Sequence, residues 1–357
     1  MAVPGDDPST DAIPGIPTIY DVAREAGVSP STVSRALSRP GRVSFDTAER
    51  IRKVAAELGY HTKAISRTLP ERVTKMLGLV VADIANPVYL GMIRGAERTA
   101  RELDYSLVLV ETQESERLES ELLERLMPLV DGVILGASRL PDVDIRRLAK
   151  QTPLVVLNRQ VGQVTSVSSD NLRAVKRAAE YLGGLGHRSI AYLAGPENSW
   201  SDGIRWRGLL EAGLELDIRV RRAGPYVPSI KGGAAAAQDW LQHRTGAVLA
   251  YNDLMAIGFM RQLALSGVEV PRDVSVIGFD NISDASLIRP RLTTMAAPQV
   301  TLGATAVNHL LRQRRHVAET GDPVLLPVRL MVRESTGPAP GRQPGAAHTP
   351  GRSDSRR

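Results

Sequence analysis

From residue 76 onward the chain repeats one pattern, a short uninterrupted apolar run followed by a longer stretch with helical spacing. The runs are MLGLVVADI (76–84), YSLVLVET (105–112), GVILGA (132–137), PLVVLN (153–158), RSIAYLAG (188–195), GAVLAYND (246–253) and VSVIGFD (274–280). A strand with one wet face alternates polar and apolar residues. A strand without that alternation is covered on both faces, and covered strands separated by helices imply parallel sheets. Helices are expected at 87–103, at 116–127, where Leu118, Leu122, Leu123 and Leu126 share one side, and near 142–150. Strands in this number over about 260 residues predict an α/β fold with two doubly wound lobes, not one sheet.

The segment 18–59 has a different texture and predicts three short helices. Thr18 and Asp21 have capping-box spacing, and Ile19, Val22, Ala23 and Ala26 then recur at helical intervals. Gly27 stops that helix. Ser29 is placed to cap the next, with Pro30 at its first position, where a missing N–H costs nothing. Val33 and Leu37 face inward, which leaves Ser31, Thr32, Ser34 and Arg35 outside. Ser44 caps a third helix whose inner face is Ala48, Ile51, Ala55 and Leu58. About forty residues make a small core, so this unit should be marginal on its own.

Charge is distributed unevenly. Residues 1–17 carry three Asp and no Lys or Arg, 18–75 carry eleven Lys or Arg against six Asp or Glu, and 336–357 carry four Arg against one Asp. A basic module on a nearly neutral body points to a polyanion partner. The absence of cysteine excludes disulfides, thiol catalysis, zinc–thiolate sites and iron–sulfur clusters, and fits a reducing cytoplasm. The acidic, Pro-rich start has no basic and apolar regions of a signal peptide, and no apolar run approaches a membrane span. Residues 1–17 and 336–357 are expected to be disordered.

Enzyme signatures are missing. There is no phosphate loop, no G-x-G-x-x-G after a strand, no G-x-S-x-G and no H-E-x-x-H, and the six His show no metal-ligand spacing. No catalytic residue, cofactor or metal is therefore expected. His187, in a Gly-rich turn before a strand, reads as a structural hydrogen-bonding residue. What the segment 19–37 does contain is a helix-turn-helix: a positioning helix, a tight turn at Gly27-Val28-Ser29, and a second helix with small polar residues outward. Small exposed side chains let a helix approach base edges in the major groove, and Arg35 is long enough for a bidentate contact to guanine.

At these residues a family resemblance becomes specific. TIYDVAREAGVSPSTVSRALS and RVSFDTAERIRKVAAELGY resemble the headpiece of LacI/GalR-family transcription regulators. The order of ADIANPVY, VDGVIL, LGHRSIAYLAGP, GIRWRG, YND, VSVIGFDN and PRLTTM agrees with that family over about 18–335. The resemblance implies a homodimer, with a headpiece at 18–60, a hinge and linker at 61–75, and a two-lobed core at 76–335 like a periplasmic sugar-binding protein. It implies pseudopalindromic double-stranded operator DNA as partner, a small-molecule effector between the lobes, and no membrane partner. Pro30, Ser31 and Arg35 would read base edges. Thr18, Tyr20, Ser29, Thr32 and Ser34 would bond phosphates, with Arg42 and Lys63 as looser phosphate contacts. The hinge at 64–69 would fold only on the operator, where Leu69 would wedge into the minor groove. His61-Thr62-Lys63 and Ser66 depart from the family's usual hinge sequence.

For the effector, the resemblance implies contacts from Arg205, Asn252 and Asp280 on one lobe and from Asp83, Asn86, Tyr89 and Asn158 on the other. Asn158 stands where the family often has Asp. By residue type, Trp200 or Trp206 could stack on a sugar face or serve as packing. A guanidinium, an amide and a carboxylate can together satisfy vicinal hydroxyls, or the guanidinium can take an acid group. The expected function is a repressor whose operator affinity is controlled by an effector. A solute-binding protein of the transport class is the alternative, which the core would permit and the fused headpiece opposes.

Overall fold

A computed structural model describes residues 18–38, 43–58, 73–314 and 323–340. The chain divides into two compact units, one up to Val73 and one from Thr74. The expected hinge, with Leu69, lies outside the described residues.

The first unit has three helices, α1 (Ile19–Glu25), α2 (Pro30–Ser38) and α3 (Phe45–Glu57). The Asp21 carboxylate starts α1 by accepting the Thr18 backbone N–H at 2.8 Å and the Thr18 hydroxyl at 2.6 Å. Gly27, at φ +64°, turns the chain out of it, a conformation that costs glycine nothing. The Ser29 hydroxyl accepts the Thr32 N–H at 3.2 Å and so caps α2. At α3 the Ser44 hydroxyl donates to Thr47 Oγ1 instead, and the backbone alone closes the first turn. The core is Val22, Ala23, Ala26, Val33, Ala36, Ala48, Ile51 and Ala55. Alanines fill most of it, so the helices lie close but bury little apolar area, and the unit is correspondingly weak.

The second unit holds two six-stranded sheets. The first runs β11 (Val324–Leu326), β5 (Ser166–Ser169), β4 (Leu154–Leu157), β3 (Val133–Gly136), β1 (Met76–Val81), β2 (Ser106–Glu111). The second runs β12 (Arg329–Met331), β10 (Thr293–Ala296), β9 (Ser275–Phe279), β8 (Ala247–Ala250), β6 (Ser189–Leu193), β7 (Arg219–Ala223). All pairings are parallel except β10 with β12. Each sheet is a doubly wound lobe with a buried cluster on either face. The first lobe carries α4 (Val88–Glu102), α5 (Glu116–Leu126), α6 (Asp142–Ala149) and α12 (Gln299–Arg314). The second carries α7 (Asn171–Gly184), α8 (Trp200–Leu216), α9 (Ile230–Gln242), α10 (Asp253–Leu265) and α11 (Asp284–Leu287).

The chain passes between lobes three times, from β5 into α7, from β10 into α12, and from β11 into β12. The second passage is tightly packed. A Cβ on Gly95 of α4 would meet the Val300 carbonyl of α12 at 2.0 Å, so only glycine lets the two helices touch there.

Two expectations are corrected. The run at 105–112 is an edge strand, not one covered on both faces, and Leu109 is 43% exposed. Residues 336–340, read as the start of a disordered tail, instead dock on the second lobe. The Gly337 N–H donates to Ser275 Oγ at 3.0 Å, and the Ala339 N–H to the Leu185 carbonyl at 3.0 Å. His187 Nε2 lies 2.9 Å from Ser275 Oγ and 3.1 Å from the Gly337 carbonyl, in keeping with its structural reading. Among the described residues no helix is long and apolar enough to cross a membrane.

Candidate functional site

The first unit offers one chemically distinctive surface. Val33 and Ala36 turn α2 into the core, so Ser31, Ser34 and Arg35, at i, i+3 and i+4, fall together on its outer face, and all three are exposed. At the amino end of α2 the hydroxyls cluster, with Ser29 Oγ 2.9 Å from Ser31 Oγ and 2.8 Å from Thr32 Oγ1. Thr18 and Ser29 are exposed, Tyr20 is 67% exposed, and Pro30 and Thr32 are half-buried. Small hydroxyls at a helix amino end suit phosphate oxygens, and a long guanidinium one turn further along suits a base edge. Arg42 and Lys63, like Leu69, fall outside the described residues.

The second unit offers a cleft. Parallel strands of both lobes end on it, as in open α/β sheets generally. About 50 Å³ within it is free to a water-sized molecule, in a total open space of about 580 Å³ that includes solvent at its mouth. Asn86, Tyr89, Asn158, Trp200, Arg205, Asn252 and Asp280 all line it. Asp83 does not. Its Oδ1 accepts the Ala85 N–H at 2.8 Å and helps fold the turn after β1. Trp206 does not either; it stacks on Tyr192 in the second lobe, with ring centroids 6.1 Å apart.

Arg205 comes from the second turn of α8 and is 7% exposed. Its Nε donates to Asn171 Oδ1 at 3.1 Å and its Nη1 to the Tyr251 carbonyl, while its guanidinium carbon lies 3.5 Å from the centre of the Phe279 ring. Nη2 makes no hydrogen bond among the described residues. Asn252 caps α10. Its Oδ1 accepts the Met255 N–H at 2.9 Å and its Nδ2 donates to the Pro228 carbonyl at 3.2 Å, which leaves one N–H for a ligand. Asp280 follows β9 at φ +113°, which turns it into the cleft. Burial pushes its carboxyl from 3.8 up to about 7, and Arg205 pulls the other way. Behind it, Asp253 is fully buried, held by Thr294 Oγ1 at 2.6 Å and the Ile282 N–H at 2.9 Å. Burial and then the Asp280 charge raise Asp253 well above the carboxylate range.

Sequence motifs missed part of the first-lobe wall. Arg139, 3% exposed in its side chain, donates Nε to Glu114 Oε2 at 2.6 Å and places Nη2 2.5 Å from the same oxygen. Its backbone N–H is held by Glu119 Oε2 at 2.8 Å, and burial raises that Glu119 carboxyl. Arg159 also lines the cleft and donates to the Ser138 and Leu140 carbonyls and to Asp142. The only available signal was position, since Glu114, Arg139 and Arg159 each follow the end of a parallel strand. The Tyr89 phenol is held protonated by burial. The cleft is thus a polar cavity with aromatic walls, built for a small hydrogen-bonding molecule.

Comparison with known proteins gives the same two parts. The family model described as "Bacterial regulatory proteins, lacI family" matches residues 18–63, and that described as "Periplasmic binding protein-like domain" matches 179–336. The HTH-type transcriptional repressor CytR of Escherichia coli (strain K12) is 32% identical over 333 residues, covering 90% of this chain and 97% of its own. A lac repressor dimer bound to operator and the anti-inducer ONPF superimposes with a TM-score of 0.69 at 29% identity, over 90% of this chain and 100% of that one. A complex of the transcriptional regulator CelR with cellobiose gives 0.67 at 29% identity, over 89% and 99%.

Proposed function

The chain belongs to the LacI family of bacterial regulatory proteins, and from that premise we propose how its two parts act together as a sequence-specific repressor under effector control. The first unit binds double-stranded DNA. Two copies, related by a two-fold axis, read the half-sites of a pseudopalindromic operator. Ser31 and Arg35, with Pro30 beside them, read base edges. Thr18, Tyr20, Ser29, Thr32 and Ser34 hold phosphates and fix the register. Arg42, Lys63 and the Leu69 wedge enter this reading through family likeness.

The observation that carries the proposal is the outer face of α2, where exposed Ser31, Ser34 and Arg35 stand over an alanine-rich core. A solute-binding protein of the transport class would need the cleft alone and gives this face no task. The relatives are transcription regulators, and we assign the chain no catalytic step and a cytoplasmic place of work, where its DNA is.

The second unit takes the effector, a sugar or related metabolite, in its cleft. Arg205, Asn252 and Asp280 contact it from one lobe, and Asn86, Tyr89 and Asn158 from the other, with Trp200 against its apolar face. Effector binding changes the separation of the lobes and with it the hinge segments of the dimer. The two sites are linked by a coupling free energy of about 1–3 kcal/mol, and the linkage is reciprocal.

The test needs no known operator. A randomised duplex library passed over the immobilised full chain should enrich an inverted repeat. About four phosphate contacts per copy predict that log affinity falls with log salt at a slope near −7. Enrichment without two-fold symmetry, or none at all, refutes the reading.

A further inference from the structure

The cleft has more hydrogen-bond donors to offer than acceptors. Arg205 keeps Nη2 unbonded, and the Asn86 side chain keeps its N–H groups because its oxygen already accepts the Val88 N–H at 3.1 Å. Asn252 keeps one N–H, as derived above, and Asn158 its whole amide. Acceptor-only groups are few. They are the Asp280 carboxylate and Oε1 of Glu114, since Arg139 meets only Oε2.

Charge follows the same pattern. Arg139 is paired with Glu114 and Arg159 with Asp142, whereas Arg205 lines the cleft with no carboxylate within ion-pair distance among the described residues. Its buried charge is met in part by the Phe279 ring and by the nearby Asp280 charge, but by no ion pair, which leaves room for an anionic ligand group to compensate it. On the opposite wall Asn158 sits at φ +55°, a conformation open to Asn and Asp alike, yet carries the neutral side chain. The wall therefore forgoes a carboxylate it could have held at no backbone cost. At neutral pH Asp280 holds a proton part of the time and then adds a donor of its own.

We infer that the effector is an acidic sugar derivative, its carboxylate or phosphate group held by Arg205 and its hydroxyls by the amides of Asn86, Asn158 and Asn252. A carboxylate or phosphate only accepts hydrogen bonds, so it uses a donor surplus that a neutral sugar, donating as much as it accepts, leaves unmatched. The inference rests on the reading of the cleft as the effector site.

Matched pairs test it on the full chain by calorimetric titration: D-galacturonate against D-galactose, D-glucuronate against D-glucose, and D-ribose 5-phosphate against D-ribose. At least one acidic member should bind tenfold or more tightly than its neutral partner, and the pair in which it does so separates carboxylate from phosphate. Asn158→Asp, which leaves the local backbone undisturbed, should weaken that acid roughly tenfold or more by like-charge repulsion. A neutral sugar that binds as tightly as its acid in every pair overturns the inference. So does a panel in which no acid binds, or an acid whose affinity ignores Asn158→Asp. Binding of inorganic phosphate as tight as that of ribose 5-phosphate would mark an anion site without sugar recognition, and also overturns it. Duplex capture by the same protein without ligand is read separately. Its failure beside intact acid binding would remove the regulatory reading and leave the ligand class standing.

Discussion

Asp280 gives the cleft a pH dependence that can be worked out in advance. Burial lifts its carboxyl to about 7 in the folded protein, whereas the unfolded chain returns it to its ordinary value of 3.8. Between those two values the folded state holds a proton that the unfolded chain has lost. The resulting stability is complete at low pH and is lost as pH rises through about 7. The span from 3.8 to about 7, at about 1.4 kcal/mol per pH unit, is worth about 4 kcal/mol in full. Three other buried groups add to the wild-type profile. Asp253 and Glu119 are raised in the same sense. His187 is lowered by its burial, so its contribution is present above 6.5 and lost as pH falls. The comparison of wild type with Asp280→Asn cancels His187, Glu119 and the part of the Asp253 rise that burial causes, while the part caused by the Asp280 charge goes with Asp280 and adds to the difference. Urea denaturation should therefore show the wild type losing about 3 kcal/mol between about pH 5 and pH 8 relative to the variant. Profiles that run parallel to within about 0.5 kcal/mol would show that the Asp280 carboxyl is not held away from water, and the electrostatics of the cleft derived above would fail.

Three further outcomes follow from the packing. Asp202, 1% exposed, accepts from the Tyr192 hydroxyl at 2.8 Å, the Gly195 N–H at 2.7 Å and Arg222 at 2.7 Å, so Asp202→Asn should cost about 3–5 kcal/mol in urea denaturation. Ile51 is the largest side chain in an alanine-rich core. Ile51→Ala, at about 2–5 kcal/mol, should strip amide protection from residues 18–58 while the second unit melts as before. His187→Ala removes the imidazole that touches Ser275 and Gly337, so the Gly337 and Ala339 amides should exchange roughly tenfold faster or more.

Where residue type alone dictates structure, the sequence was readable. The runs at 76–84 and 274–280 contain strands because apolar residues occupy both faces of each, with Ser275 the one polar residue inside either strand, and the spacing of Val33 against Ser31, Ser34 and Arg35 orients α2. Strand β5 escaped notice because Ser166, Ser168 and Ser169 look like loop residues, although all are buried. Strand β7, with three arginines among five residues, reads as a solvated face, and it is one in part, since it lies at a sheet edge. Residues 336–340 have no apolar anchor; backbone and hydroxyl hydrogen bonds hold them, and composition does not register those. Asp83 bonds into a local turn and does not line the cleft, which its residue type does not reveal. Arg139 and Glu114 belong to no motif, and only the fold brings them together.

The claim on which the account depends is that the outer face of α2 reads base pairs, and Arg35→Lys tests it most directly. Lysine keeps the positive charge but loses the planar fork that a guanine edge demands. Against the duplex enriched by the wild type, the variant should lose about 1–3 kcal/mol of discrimination at one base pair in each half-site, with the salt slope unchanged. Equal discrimination at every position by wild type and variant would contradict the account.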